Sequence, residues 1–435
     1  MLTSLQIYNH LPKTNCRKCN FPTCLAFAMA LAQRRVSLDK CPDISEEAKR
    51  LLSESSRPPM KTIKFGMKDN KIEIGGEVVL FRHEKTFYHQ PAFAVLLSDT
   101  TPGEELKETI KTIKDMKFEL IDKTFKVDMI AIKNDSKDPD AFVQCVHLAQ
   151  NFPLLLISEN LDTIRKARDV LKNQMPVILG GSSEEWIKFA IESDSVPAIK
   201  GRSLDEIAAK SGQAQSHGLN NIILYPEVLN IKEALMTLSQ SWKLALENNY
   251  RALGFPLIGR AGKDLALAAN FICKYAGIII LETTDYQELL PLFTLRFNIY
   301  SDPRKPLMME PKLYEIGKPG KDSPVLVTTN FALTFYMVRS EVEASHISSY
   351  LLVTESDGLS VLSAWAADKF NAEVITRSIK NSDIEKKVKH RKIIIPGCVA
   401  SLKAKLEDES GWKVLIGSGE APLIPQFLKR HWKQD

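Results

Sequence analysis

The sequence predicts a multidomain α/β protein, and three observations support this fold class. Residues 60–315 contain eight short apolar runs with helical stretches between them, and residues 323–435 contain four more. Four of the seven cysteines fall in the first 41 residues. A chain of 435 residues exceeds the size of one ordinary domain. We therefore predict three domains, with bounds 1–57, 60–315 and 323–435.

The central region has the pattern of parallel strands that are buried on both faces. Its apolar runs are short, rich in Val, Ile and Leu, and not alternating. They lie at 93–97, 127–132, 153–157, 176–179, 196–199, 222–224, 255–258 and 277–281, after a hairpin-like pair at 62–65 and 71–80. Helical periodicity is clear at 163–173 and 231–248. Eight such units in about 250 residues predict a TIM (β/α)8 barrel. A doubly wound open sheet is the alternative.

The C-terminal region predicts a small doubly wound, flavodoxin-like sheet. Apolar runs at 325–327, 350–353, 392–395 and 413–416 alternate with helical segments near 330–339, 359–370, 397–406 and 421–431. Small, hydroxylated or glycine residues follow each run, at 328–330, 354–358, 396–397 and 417–419. Ligands bind at this edge of open α/β sheets, although such residues also simply form turns. Polar segments 53–59 and 316–323 are predicted linkers.

Composition narrows the range of functions. The net charge of +5 is interspersed along the chain, so a nucleic-acid partner is not expected. No apolar stretch approaches the roughly 18 residues of a membrane span, and the first residues lack a signal-peptide pattern. We expect a cytoplasmic protein without a membrane partner. Its cysteines then indicate metal binding and not a disulfide framework.

The N-terminal cysteines form a C-x2-C-x4-C-x16-C pattern of Cys16, Cys19, Cys24 and Cys41. Thiolates suit iron–sulfur clusters or zinc. Zinc sites usually use two C-x2-C pairs, so the spacing favours an iron–sulfur cluster, and zinc is the alternative. The remaining cysteines are isolated. Cys145 and Cys273 fit core positions, and Cys398 follows a predicted strand without being a predicted ligand.

Four stretches resemble the large (gamma) subunit of the corrinoid iron–sulfur protein, from the acetyl-CoA synthase/decarbonylase system. They are residues 11–28, 75–88, 300–306 and 358–367. The resemblance runs end to end. It implies a 4Fe–4S domain, a TIM barrel and a C-terminal cobalamin-binding domain. It also implies a heterodimer with a small (delta) subunit. A methyltransferase and acetyl-CoA synthase/CO dehydrogenase would be its partners in methyl transfer.

The resemblance also assigns residues. Cys16, Cys19, Cys24 and Cys41 would hold the 4Fe–4S cluster. The corrinoid contacts would be Thr329, Thr334, Gly358, Leu359, Ser360, Val361, Leu362, Ser363, Gly397 and Ile424. Ser363 stands where the family commonly has threonine, facing the lower side of cobalt. None of His346, His390 and His431 lies in a D-x-H-x-x-G motif, so we expect a base-off corrinoid without a histidine ligand.

The activity implied by the resemblance is that of a methyl carrier in the reductive acetyl-CoA (Wood–Ljungdahl) pathway. Cobalt would accept a methyl group from a methyltetrahydropterin or methyltetrahydrofolate through the methyltransferase and donate it to acetyl-CoA synthase. The cluster would reduce Co(II) to Co(I). No catalytic acid or base is expected, and Asp99 and Glu282 fit helix capping or solvation better. Two alternatives are a direct pterin-binding methyltransferase and an iron–sulfur electron-transfer subunit without corrinoid.

Overall fold

The computed structural model describes residues 4–32, 36, 38–45, 47–49, 52, 58–228 and 230–432. The chain forms two compact units. The first comprises Met1–Phe118 and Lys126–Ser301, and the second comprises Glu119–Phe125 and Asp302–Asp435. Most of the predicted linker at 53–59 lies outside the described residues. None of the helices within the described ranges has the length and apolar character needed to cross a membrane.

The N-terminal segment of the first unit is helical. It contains helices Ser4–Asn9 and Cys24–Ala32, followed by a 3-10 turn at Leu38–Lys40. A β-hairpin comes next, formed by strands β1 (Thr62–Met67) and β2 (Asn70–Gly75). The predicted second strand was too long, because the chain turns away at Gly75 and Gly76. Both glycines adopt the left-handed backbone, with φ of 77° and 78°, which side chains with a Cβ rarely adopt.

Eight parallel strands form the barrel predicted for the central region. They are β3 (Ala92–Ser98), β6 (Met129–Lys133), β7 (Leu154–Ile157), β9 (Val177–Leu179), β10 (Val196–Gly201), β11 (Ile223–Pro226), β12 (Ile258–Gly262) and β13 (Ile278–Leu281). Their order is β11-β10-β9-β7-β6-β3-β13-β12. A parallel bridge between Leu224 and Leu257 joins the two ends. The sheet is therefore nearly closed, which confirms the TIM-like barrel and rejects the open sheet.

Helices between the strands begin where the sequence supplies capping side chains. Asp138, Asn160, Ser203 and Asn230 each accept a hydrogen bond from a first-turn amide, which satisfies donors that the helix itself leaves unpaired. The barrel helices are Gly103–Asp115, Pro139–Ala149, Leu161–Val170, Glu184–Glu192, Leu204–Ser216, Ile231–Leu246, Leu265–Cys273 and Tyr286–Ile299. A two-residue strand, β8 (Gln174–Met175), pairs with the hairpin strand β1.

The second unit is a five-stranded sheet with helices on both faces. Its order is β14 (Leu313–Ile316), β16 (Ser349–Thr354), β15 (Val325–Thr329), β17 (Lys392–Ile395) and β18 (Lys413–Ile416). The four predicted strands are confirmed and are parallel. The sequence analysis missed β14, which pairs antiparallel at the edge. The segment predicted as a linker at 316–323 therefore lies inside this unit, between β14 and β15.

The helices of this unit depart from prediction in two places. The helices are Ala332–Ser345, Val361–Ala366, Ala372–Asn381, Ile384–Lys387, Lys403–Ser410 and Ile424–His431, with 3-10 turns at Gly397–Leu402 and Ala421–Leu423. The predicted helix at 359–370 ends early, and Ala372–Asn381 was not predicted. Alternate sheet residues enter two separate cores: Val325 and Val327 face one, and Leu326 faces the other, as the two-residue period of a strand requires.

A hairpin from the middle of the barrel sequence completes the second unit. Strands β4 (Phe118–Leu120) and β5 (Lys123–Phe125) pair with each other. At the tip, Ile121 packs on the core that contains Leu326, and its amide donates to the Tyr336 hydroxyl (3.2 Å). The Asp122 carboxylate accepts from the Tyr314 hydroxyl and from the Glu310 amide (3.1 Å to the latter). The partners are 188 to 215 residues apart in sequence, so no local pattern could reveal this pairing.

Candidate functional site

Three of the four N-terminal cysteines are buried in one small apolar core. Cys19, Cys24 and Cys41 pack there with Ile7, Leu11, Phe27, Ala28, Leu31 and Leu52, while Cys16 is exposed. The chain between the helices is tightly coiled, because Lys13, Asn15, Arg17 and Asn20 adopt positive φ. The side chain of Asn15 accepts a hydrogen bond from the Cys24 amide (2.8 Å). The fold therefore gathers three of the four predicted ligands into an apolar core.

The turn that carries Cys41 is tied to the loop that carries Cys16 and Cys19. Lys18 Nζ lies 3.0 Å from each carboxylate oxygen of Asp43. Burial raises the pKa of the Cys41 thiol, and the charges of Cys19, Cys24 and Cys16 act in the same direction. Clustered thiolates need a compensating positive charge, which fits a cluster held by soft ligands.

No single-ion site accompanies this arrangement in the described parts of the chain. There, no three histidine, cysteine, aspartate or glutamate side chains converge as they would around one metal ion. The four-thiolate donor set and its apolar wrapping are the features that fit an iron–sulfur cluster.

A cavity of about 270 Å³ opens at the carboxyl ends of the parallel strands in the second unit. Its inner wall is apolar and comes from the sheet, through Leu326, Val327, Ile394 and Ile395. Val338, Ile424 and Phe427 supply the helical side. The mouth is bordered by strand exits, including Pro396, Cys398 and the glycine-bearing turn 417–419. The cavity can take an apolar group and exclude water from it.

Two buried hydroxyls at this edge have no hydrogen-bond partner. Thr328 lines the cavity and Thr329 follows it, and both side chains are fully buried with Oγ1 unpaired. A buried hydroxyl without a partner costs about 1–3 kcal/mol. A ligand with its own polar groups would supply the missing partners, so the site fits a large molecule that is partly apolar and partly polar.

Two family models match this chain. The first, described as "CO dehydrogenase/acetyl-CoA synthase delta subunit", matches residues 62–428. The second, whose description names an Fe-S cluster, matches residues 11–42. Among similar proteins, the corrinoid/iron-sulfur protein large subunit of Moorella thermoacetica is 39% identical over 98% of both chains. The chain belongs to this large-subunit family.

Other comparisons agree with the assignment or concern only the fold. The gamma subunit of the acetyl-CoA decarbonylase/synthase complex of Methanothermobacter thermautotrophicus is 32% identical over 99% of both chains. The resemblance stated from the sequence is thus confirmed. A dihydropteroate synthase of Thermus thermophilus is a more distant structural neighbour, with a TM-score of 0.39, 11% identity, and coverage of 54% of this chain and 99% of that one.

The residues that the family resemblance assigned to the corrinoid fall into two groups. Thr334, Ser360, Val361, Leu362 and Ile424 line the cavity. The others do not line it. Thr329, Leu359, Ser363 and Gly397 adjoin lining residues in the chain, and Gly358 lies two residues before the lining residue Ser360. Lining residues outside the assigned set include Leu326, Thr328, Ile394, Pro396, Cys398, Gly417 and Phe427. The strand-exit rule pointed to several of them, whereas Phe427 had no sequence signal.

Glycine is required where two strand exits meet. A Cβ on Gly397 would stand 2.6 Å from the Gly417 carbonyl oxygen and 2.9 Å from the Gly419 amide nitrogen. The Gly397 amide donates to the Ser418 carbonyl (2.9 Å). The loops after β17 and β18 can approach this closely only because neither has a side chain at the contact.

The neighbourhood of Ser363 is hydroxylated and lacks imidazole. Ser360 Oγ donates to Ser363 Oγ at 3.0 Å. His346 ends the helix Ala332–Ser345, His390 contacts the Ser323 carbonyl oxygen (2.9 Å), and His431 contacts the Phe427 carbonyl oxygen (3.1 Å). None of these three histidines lines the cavity.

The polar residues at the carboxyl end of the barrel are engaged with one another. Asp99 accepts from Asn134 Nδ2 (2.6 Å), from the amides of Asp135 and Ser136 (2.9 Å each), and from Ser136 Oγ (2.7 Å). Glu282 is paired with Arg260 at 2.9 Å. The carboxylate of Asp99 thus takes these hydrogen bonds from residues 134–136 of its own chain, and the helix that follows them is capped by Asp138 instead.

Proposed function

We propose that this chain is the methyl-carrying subunit of a corrinoid iron–sulfur protein in the reductive acetyl-CoA pathway. It would carry a methyl group from a methyltetrahydropterin-dependent methyltransferase to acetyl-CoA synthase/CO dehydrogenase, as a heterodimer with a small (delta) subunit. The observation that carries the proposal is the apolar cavity with unpaired hydroxyls at the strand ends of the second unit, in a chain of the large-subunit family.

In this proposal the cavity holds the corrinoid. When bound, the cofactor supplies a nucleophilic cobalt centre that takes up and releases the methyl group. Leu326, Ile394 and Phe427 keep water from the enclosed part of the cofactor. The unpaired hydroxyl of Thr328, which lines the cavity, is available to its polar substituents. Because no histidine borders the cavity, the protein would offer cobalt no imidazole, which corresponds to base-off binding.

Cys16, Cys19, Cys24 and Cys41 would hold a 4Fe–4S cluster that supplies the reducing electron to inactive Co(II). Leu11 and Phe27 are buried against the cysteines and limit water around the sulfur atoms, which influences a cluster's potential. The ion pair between Lys18 and Asp43 holds the Cys41 turn beside the other ligands. The lysine charge next to the cysteines is thereby largely neutralised within the protein.

The test is metal analysis with an absorbance spectrum on anaerobically purified protein, coproduced with its small subunit. About four iron and one cobalt per chain pair are expected. Zinc in place of iron, or iron without cobalt, would contradict the proposal. Cys24→Ala should leave methyl transfer from pre-reduced cobalt intact while abolishing reductive reactivation, and loss of both would assign the cluster a structural role.

Direct pterin binding by the barrel is the rival function. It requires free polar groups at the carboxyl end of the barrel strands, and Asp99 there is saturated by Asn134 and Ser136. Titration of the natural chain with methyltetrahydrofolate should show no binding at micromolar concentrations. A stoichiometric binding isotherm would support direct pterin binding by the barrel instead.

A further inference from the structure

A buried asparagine at the exit of strand β15 is bonded to the turn that follows strand β16. Asn330 is 1% exposed. Its Oδ1 accepts hydrogen bonds from the Ser356 amide (3.2 Å), the Ser356 hydroxyl (2.6 Å) and the Gly358 amide (2.9 Å). Its Nδ2 donates to Glu355 Oε1 (2.9 Å). One side chain therefore bonds to three residues of the turn, Glu355, Ser356 and Gly358.

Backbone hydrogen bonds of Asn330 connect the turn to a third segment, which contains Met309. The Asn330 amide donates to the Ser356 hydroxyl (3.1 Å), and the Asn330 carbonyl accepts from the Met309 amide (2.8 Å). Glu355 Oε1 also accepts from the amides of Ser356 (3.0 Å) and Asp357 (2.9 Å). Asn330 and Glu355 thus satisfy every turn amide from Ser356 to Gly358, in a place where solvent could not do so for the buried residues.

The turn has a backbone conformation that needs such support. Asp357 and Gly358 have φ of 54° and 68°, in the left-handed region. A non-glycine residue in this region is unfavourable and persists only where its surroundings hold it. Gly358 has little space as well, since an added Cβ would stand 2.6 Å from the side chains of Pro306 and Met308.

The turn leads directly into the cavity wall. Ser360, Val361 and Leu362 follow Gly358 within four residues and line the cavity, whereas Asn330 itself does not. We infer that Asn330, acting with Glu355, is a positioning residue that holds the 358–363 turn in its cofactor-binding shape before the cofactor arrives. This inference rests on the proposed function, because it takes the occupant of the cavity to be the corrinoid.

The expected consequence is a loss of preorganisation. A turn that is ordered only on binding subtracts the free-energy cost of ordering its residues from the affinity. Asn330→Asp keeps the size of the side chain and one acceptor oxygen. It replaces the Nδ2 donor by an oxygen that faces the carboxylate of Glu355, and two like charges repel at this separation.

The experiment compares Asn330→Asp with the natural chain in the full heterodimer, using hydroxocobalamin as the probe. We expect corrinoid binding to weaken at least tenfold, and hydrogen exchange in residues 355–363 of the cofactor-free protein to accelerate. After chemical one-electron reduction of the bound hydroxocobalamin, which is Co(III), the electron paramagnetic resonance spectrum of Co(II) should broaden. Ser345→Ala is the matched control, since its buried hydroxyl donates to the Val342 carbonyl (2.6 Å) at the other end of the sheet. It should change none of the three readouts.

A second variant tests the direction of the hydrogen bond. Combining Asn330→Asp with Glu355→Gln removes the charge repulsion and restores one donor facing an acceptor. The new amide NH2 then also faces the Ser356 and Asp357 amides, which donated to Glu355 Oε1, so the double variant should recover only part of the lost affinity. Glu355→Gln alone occupies an exposed position, so it should fold even if Asn330→Asp does not. It should weaken binding several-fold and raise exchange at residues 356–358.

The outcomes separate the two proposals. Natural affinity and natural exchange in both single variants would overturn the positioning role. Equal losses in Ser345→Ala would overturn it too, because they would show only a general loss of stability. If the natural heterodimer takes up no hydroxocobalamin, this result would instead contradict the proposed function.

Discussion

The barrel and the C-terminal sheet both end parallel strands in polar residues, but they differ in how these are satisfied: Asp99 of the barrel is hydrogen-bonded, whereas two threonines of the sheet have no hydrogen-bond partner among the described residues. In the barrel, Asp99 accepts four hydrogen bonds from its own neighbours. In the C-terminal sheet, the hydroxyls of Thr328 and Thr329 are buried without partners beside an apolar cavity. The comparison teaches that polar residues at strand ends indicate a ligand only where the chain does not itself satisfy them.

The largest expected effect is on the stability of the barrel, through Asp99. Asp99→Ala should lower the free energy of unfolding by about 3–4 kcal/mol, because it leaves several donors around a buried position unpaired. Cobalt uptake by the folded protein should stay unchanged. Chemical denaturation and cobalt analysis measure the two quantities, and a loss of cobalt from fully folded protein would contradict the contrast.

The cavity side can be disrupted by filling it. Thr334→Trp should place an indole in the space of about 270 Å³ and weaken corrinoid binding at least 100-fold, about 2.7 kcal/mol. Leu333→Trp is the control, since Leu333 lies next in the same helix but is 60% exposed. Equal affinities of the two variants, measured by spectral titration, would show that the cavity is not the binding site.

The first unit also contains a buried carboxylate with one unpaired oxygen, that of Glu77, and its protonation makes the stability of the protein depend on pH. Burial raises the pKa of Glu77 from 4.5 to about 7, although the amides of Tyr88 and His89 donate to it, and its Oε2 has no partner. The folded state then binds more protons than the unfolded state between these values. Stability should therefore fall by about 2 kcal/mol as the pH rises from about 5 to 7. Glu77→Gln should flatten this dependence in urea titrations, and an unchanged slope would assign it to other groups.

The smallest expected effect has opposite signs for stability and for binding. Thr328→Val removes an unpaired hydroxyl at constant volume, so it should stabilise cofactor-free protein by about 1 kcal/mol while weakening corrinoid binding several-fold. Thr354→Val is the matched control, because Thr354 Oγ1 donates to the Thr328 carbonyl (3.3 Å). It should destabilise the protein. Loss of stability in both variants, in thermal melts, would mean that the Thr328 hydroxyl has a partner in solution.

Much of the architecture was predictable because it depends on local patterns. Runs of Val, Ile and Leu marked seven of the eight barrel strands, and the fold class was confirmed. The run predicted at 255–258 ends where strand β12 (Ile258–Gly262) begins. The edge strand Leu313–Ile316 was missed because its residues are only partly buried and the pattern is mixed. The hairpin at 118–125 was missed because its partners, Tyr314 and Tyr336, are distant in sequence.

The sequence by itself determined the fold class, the family and the four cysteines, since strand periodicity, ligand spacing and motifs are all local in the chain. Only the tertiary structure decided which polar groups remain unsatisfied. Asp99 and Thr328 both follow or end an apolar strand, and nothing in their neighbours in sequence separates them. Hydrogen-bond satisfaction depends on residues that meet through folding, as Asn330 meets Ser356 and Gly358. The edge proposed to bind the corrinoid was therefore distinguishable from the hydrogen-bonded edge of the barrel only in three dimensions.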